Sequence, residues 1–158
     1  MHGKFDSRHP LVGLSDELIR LNGRLKSLFH GPRREAGLGD SELGVLNAVV
    51  EAEQPPTVPQ IGRSFGHPRQ LVQRAANSLI ASGLIEAVPN PDHKRAVLLR
   101  ATERGVALKR EIDREADARA EALAGGMDAA AIHEATLALG AIRRHLEQQL
   151  RGSDPGRD

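Results

Sequence analysis

The chain of 158 residues contains no cysteine, no tyrosine and no tryptophan. Without cysteine there is no disulfide, no thiolate zinc site, no iron–sulfur cluster and no thiol redox sensor. The whole aromatic inventory is Phe5, Phe29 and Phe65, which argues against nucleic-acid folds that stack unpaired bases on aromatic platforms. Long apolar runs are missing too. None approaches the roughly 20 residues of a membrane helix, and the opening MHGKFDSRHP has no apolar centre of a secretory signal. These absences lead to the expectation of a soluble, cytoplasmic protein with no membrane partner. Charge is almost balanced, with 22 basic against 21 acidic side chains and a formal net charge of +1. The length suits one domain, or one domain with extensions. Ala and Leu dominate the apolar set, so the chain should be mainly helical.

The first long pattern is Leu11, Leu14, Leu18, Leu21, Leu25 and Leu28, a 3,4,3,4,3 spacing that lines one stripe of a helix. So regular a stripe suits packing on the helix's own domain or knobs-into-holes packing on a partner chain. Gly31 and Pro32 should stop it. Asp40 and Ser41 are N-cap types that lead into Leu43, Leu46, Val49 and Val50, a short helix ended by Gln54, Pro55 and Pro56. Thr57 followed by Gln60 predicts a capping box, with Pro59 tolerated in the first turn and Ile61 and Phe65 facing inward before Gly66. A third helix opens near His67 and Pro68, carries Val72, Ala76, Leu79 and Ile80 on its buried side, and closes at Ser82 and Gly83. Two short helices joined by a tight Gly-containing turn have the layout of a helix-turn-helix.

The period then changes. Leu84–Val88 and Ala96–Arg100 are short β-capable runs that bracket a polar, basic tip from Pro89 to Arg95, which predicts a hairpin. A helix-turn-helix followed by a hairpin is a winged helix. Thr102 should cap a long helix bearing Val106, Ile112, Ala116, Ala120 and Leu123, interrupted at Gly125 and Gly126. Asp128 should cap a last helix with Ile132, Ala135, Leu139, Ile142, Leu146 and Leu150, again close to a heptad.

The balanced total hides a partition. Residues 57–104 carry seven basic and three acidic side chains, and no Asp or Glu occurs from Gln54 to Ile85. Duplex DNA carries about one negative charge per 1.7 Å of axis, so a facing carboxylate would be repelled. On the third helix, Gln70, Gln73, Arg74 and Asn77 share one face, with Arg69 beside them. Arg can bond guanine O6 and N7 in bidentate fashion, and Gln or Asn can bond adenine N6 and N7. A merely solvated face would more often pair Glu with Lys. Arg63, on the preceding helix, is placed for phosphate. His67 stands at the mouth of the third helix, and His93, Lys94 and Arg95 form the wing tip. Beside a helix in the major groove, such a tip can reach the neighbouring minor groove.

Residues 83–105, GLIEAVPNPDHKRAVLLRATERG, resemble the wing signature of the MarR family of winged-helix transcription regulators. In that pattern Gly-Leu-Ile/Val ends the recognition helix, Asp-x-Arg sits at the wing tip and Leu-Thr begins the next helix. The segment from Gly66 to Leu79 is similar to the family's recognition helix, and the order of elements matches over residues 11–150. Three positions depart from the pattern. His93 replaces the wing Asp, leaving Arg95 without its usual carboxylate brace unless Asp92 serves, Leu71 stands where a small polar residue is common, and Ala101 replaces the Leu of Leu-Thr.

The resemblance implies an obligate homodimer, joined through its first and last helices, that binds a pseudo-palindromic double-stranded operator with one recognition helix per half-site. It implies a repressor released by a small anionic or phenolic effector, for which Arg20, Phe29 and His30 are the candidate contacts. The expected layout is a disordered N-terminus over 1–10, a dimerisation helix over 11–37, the winged DNA-binding domain over 38–104, dimerisation helices over 105–150 and a disordered tail over 151–158. No phosphate loop or nucleophile motif is present, so neither enzyme chemistry nor a cofactor is expected. The seven His residues lack a compact metal-binding spacing. The competing reading is a winged helix that serves only as a protein-interaction module without specific DNA binding.

Overall fold

The computed structural model describes residues 9–28 and 37–152. It is mainly helical, with one two-stranded hairpin. The order is α1 (Pro10–Leu28), α2 (Asp40–Glu51), α3 (Val58–Phe65), α4 (Arg69–Ala81), β1 (Ile85–Val88), β2 (Leu98–Ala101), α5 (Glu103–Leu123) and α6 (Ala129–Gly152). Phe29, His30, Gly31 and Pro32 lie outside the described residues.

Three of the helix starts follow from their capping chemistry. At α3 the Thr57 amide donates to Gln60 Oε1 at 2.7 Å while the Gln60 amide donates to Thr57 Oγ1 at 3.4 Å, the reciprocal box that satisfies two otherwise orphaned donors. At α5 the Gly105 amide donates to Thr102 Oγ1 at 3.1 Å. At α6 the Ala130 amide donates to Asp128 Oδ1 at 2.9 Å. The start of α2 differs from expectation. Gly39 is its N-cap, Asp40 and Ser41 fall inside the first turn, and the Glu42 carboxylate reaches back to the Gly39 amide at 2.7 Å. The third-position carboxylate thus supplies its half of a capping box, and Gly39 has no side chain to supply the other.

The core lies where α2, α4 and the hairpin meet. Leu46, Val72, Leu79, Ile85 and Leu99 are its largest fully buried side chains, each worth roughly 1.5–3 kcal/mol of burial. The hairpin is antiparallel, with Ile85 opposite Ala101, Glu86 opposite Arg100, Ala87 opposite Leu99 and Val88 opposite Leu98. The Leu99 amide donates to Pro56 O at 2.8 Å, which ties the hairpin to the segment before α3.

Two apolar residues do not sit where periodicity puts them. Phe65 follows Val58, Ile61 and Gly62 on the inner face of α3, yet it is exposed. With only eight residues, α3 has passed the end of its packing surface by that position, and the phenyl ring lies 5.9 Å from the His67 imidazole instead. Gly66 then turns the chain with φ of 63°, a left-handed conformation that a side chain disfavours. Ile80 is likewise at the exposed edge of α4, because Val72, Ala75, Ala76 and Leu79 already fill the face toward the core.

Helices α1 and α6 stand outside this core, and none of their described side chains is buried. No helix among the described residues is long and apolar enough to cross a membrane.

Candidate nucleic-acid interface

The candidate recognition surface is built on α4. Its buried positions Val72, Ala75, Ala76 and Leu79 fix the opposite face outward, and Gln70, Gln73, Arg74 and Asn77 are all exposed there. Gln73 Nε2 donates to Asn77 Oδ1 at 3.0 Å, so the two amides are ordered relative to one another along the stripe. Arg69 opens the same helix, exposed, and His67 lies exposed in the turn before it. Leu71, the apolar departure from the family pattern, is half-buried.

The cations of residues 57–104 divide into two groups. Arg100 pairs with Glu86 across the hairpin at 2.8 Å, and Arg104 Nη1 donates to Ser82 O at 2.9 Å, closing the C-terminal end of α4. Both are occupied with the fold. Arg63, Arg69, Arg74, Lys94 and Arg95 are exposed and make no ion pair or side-chain hydrogen bond with any described residue. Their charges are therefore available to a ligand, with little cost of breaking existing contacts.

The wing tip is shaped by local polar bonds. Asn90 Oδ1 accepts from the Asp92 amide at 3.0 Å, Asn90 O accepts from the His93 amide at 3.4 Å, and His93 O accepts from the Ala96 amide at 3.2 Å. This is an Asx turn that folds the tip on itself. His93, Lys94 and Arg95 are all exposed on it. Asp92 does not brace Arg95, since its carboxylate forms no pair with that guanidinium among the described residues. A cleft of about 620 Å³ separates the wing from the start of α3, with Gln54, Thr57, Gln60 and Arg63 on one side and Asn90, Asp92 and His93 on the other. Sequence periodicity could not have found Gln54, Gln60 and Asn90 as its walls, because they come together only when the hairpin folds back on α3.

The effector candidates fare differently. Arg20 is exposed on α1 and lies 3.6 Å from Glu17 one turn away. A shallow groove of about 480 Å³ does run along α1, lined by Ser15, Leu18, Ile19, Leu21, Asn22 and Leu25 together with Leu139 of α6, and Arg20 is not part of its lining. Among the described residues no cluster of His, Asp or Glu could hold a metal ion.

A second helix of a helix-turn-helix presenting polar, base-complementary side chains, followed by a basic two-stranded wing, defines a winged-helix domain of the regulator type. The MarR family model matches residues 36–96, which span α2 to the wing tip. The chain belongs to the MarR family of transcription regulators. Rv2011c, an uncharacterized protein of Mycobacterium tuberculosis, is 36% identical over 124 residues covering 75% of this chain and 87% of its own. CouR from Rhodococcus jostii RHA1, solved bound to p-coumaroyl-CoA, shares the fold with a TM-score of 0.71 and 19% identity over 82% of this chain and 91% of its own. A mutant MarR from E. coli, solved with operator DNA, does so with a TM-score of 0.69 and 17% identity over 84% of this chain and 94% of its own.

Proposed function

We propose that the protein is a homodimeric transcription regulator that binds a specific double-stranded operator and acts as a repressor, released by a small-molecule effector, in the cytoplasm and without enzymatic activity. The observation that carries this reading is the outward face of α4. Gln70, Gln73, Arg74 and Asn77 form a base-reading stripe on a surface with no carboxylate from Gln54 to Ile85 and with five uncommitted cations around it. In the proposed complex α4 enters the major groove, Arg63 contacts phosphate, and Arg95 carries the wing to the minor groove. The mutant MarR from E. coli, which has the same fold and was solved with operator DNA, supports DNA as the ligand.

Homodimer formation is supported by the apolar faces left outside the core. Leu11, Leu18, Leu21 and Leu25 of the α1 heptad are exposed in the single chain, as are Ile132, Leu137 and Leu146 of α6. A contiguous apolar surface of this kind marks a protein contact. Two-fold symmetry would set two α4 helices about 34–36 Å apart, one turn of DNA.

The proposed effector is a small anionic or phenolic compound, as CouR with its bound p-coumaroyl-CoA suggests.

Selection of duplexes from a random library tests the reading. A regulator enriches one sequence with two-fold symmetry and binds it as two protomers per duplex. An interaction module enriches none.

A further inference from the structure

We propose that Glu42 and Ser78 form a positioning pair that sets the rotation of α4 and thereby the sequence specificity of DNA binding. The inference rests on the reading of α4 as the recognition helix. Both Glu42 oxygens are committed. Oε2 accepts from the Gly39 amide at 2.7 Å, within its own helix start, and Oε1 accepts from the Ser78 hydroxyl of α4. One carboxylate therefore splints the N-terminus of α2 to the recognition helix across a sequence distance of 36 residues. On its other side the same turn is tied to α1, where Lys26 Nζ lies 2.7 Å from Asp40.

The location on α4 gives the splint its effect. Ser78 follows Arg74 by one helical turn and adjoins Asn77, on the flank between the outward stripe and the core face. The core contacts of Val72, Ala75, Ala76 and Leu79 are apolar and non-directional, and Ala75 and Ala76 are short. They resist separation of α4 from α2 better than they resist rolling. A roll of about 10° at a side-chain radius of about 5–6 Å displaces a polar tip by about 1 Å. That is enough to turn a good bidentate contact with a base edge into none. A directional hydrogen bond at Ser78 opposes the roll. The charged state suits the role: the Ser78 hydroxyl, followed by the Gly39 amide, lowers the Glu42 pKa from its usual value, against a smaller opposing effect of burial.

Electrostatics alone predicts the opposite behaviour. Glu42 is a negative charge in a domain that faces DNA, and its removal should tighten binding to every duplex. Positioning predicts a selective loss. The test uses full-length Ser78→Ala, Ser78→Thr, Glu42→Ala and the double variant, with a duplex selected by the wild-type protein and an unrelated duplex of equal length. Ser78→Ala and Glu42→Ala should each lower affinity for the selected duplex about tenfold, leaving affinity for the unrelated one and the slope of log affinity against log salt at wild-type values. Ser78→Thr should restore the ratio, and the double variant should lose no more than either single one. A wild-type ratio in Ser78→Ala overturns the proposal while leaving the regulator reading intact. A wild-type protein that does not discriminate between the duplexes overturns both.

Discussion

Gly105 and Leu84 are in backbone contact: a Cβ on Gly105 would stand 2.0 Å from the Leu84 carbonyl oxygen. That oxygen already accepts from the Thr102 amide at 3.1 Å, so it cannot withdraw without breaking the junction where the hairpin hands over to α5. The contact locks the first turn of α5 against the link between α4 and β1. Gly105→Ala should destabilise the fold by about 2–3 kcal/mol, the upper part of the usual cost of overpacking. Urea unfolding measures this, and the denaturant dependence should stay unchanged.

Lys109 is the one buried charged side chain among the described residues; it pairs with Asp113 on its own helix and joins α5 to α2 through Glu51. Both carboxylates are themselves well exposed. Lys109→Met keeps the stem's packing and removes the buried charge, so its cost should be small. The Glu51→Ala, Asp113→Ala double variant leaves an ammonium group buried without partners. It should lose about 3 kcal/mol, the low end for a broken buried pair because the partners reach solvent. Thermal unfolding of the two proteins should rank them in that order.

Arg74 and Arg95 are separable by what their loss does to specificity. If Arg74 reads a base edge, Arg74→Ala costs about 1–3 kcal/mol on the selected duplex and relaxes preference at that base pair. Arg95→Ala should weaken binding to all duplexes alike if the wing acts on minor-groove potential. Titration of each variant against a panel of single-base variants of the selected duplex distinguishes the two outcomes.

Much of this architecture was legible in the sequence because it rests on local chemistry. The Thr57–Gln60 box, the Thr102 and Asp128 caps and the glycine turn at Gly66 each follow from residues within a few positions of one another. The polar stripe on α4 was legible from spacing alone. What escaped depends on tertiary geometry. Phe65 has the right spacing for the core, but the short α3 runs out of packing surface before reaching it. Lys109 reads as a solvated helix cation until α2 is laid against it. The division between committed and uncommitted arginines likewise appears only once Glu86 stands opposite Arg100 and Ser82 O lies within reach of Arg104. A charge count over residues 57–104 could not make that division.

Glu42 adds a pH dependence whose sign is fixed. Because its folded-state pKa is lowered from the usual value near 4.5, its contribution to stability is fully present above that value. It is lost as pH falls through the lower folded-state value. The stability difference between wild type and Glu42→Gln should therefore be flat on the neutral side and shrink under acid. Paired urea titrations across that window check this, and a difference that grows under acid would contradict the assignment.

The apolar faces of α1 and α6 should control assembly. Leu18→Glu together with Leu21→Glu places two charges on the exposed stripe of α1 without touching the winged core. Sedimentation should show the wild type as a dimer and this variant as a monomer, with operator affinity falling by at least about a hundredfold as one of two linked half-sites is lost.

In the proposed complex the uncommitted cations around α4 and the wing meet the negative potential of the duplex. Arg63, Lys94 and Arg95 in each of two protomers would bring about six positive charges to the duplex, on phosphate or in the minor groove, and displace about as many counterions, giving a slope of about −5 in log affinity against log salt. Salt titration of the purified protein on its selected duplex measures that slope directly. A value near −5, reduced by about two units when Lys94 and Arg95 are replaced singly by Ala in the dimer, is the predicted result. A slope near zero, unchanged by either replacement, would contradict it.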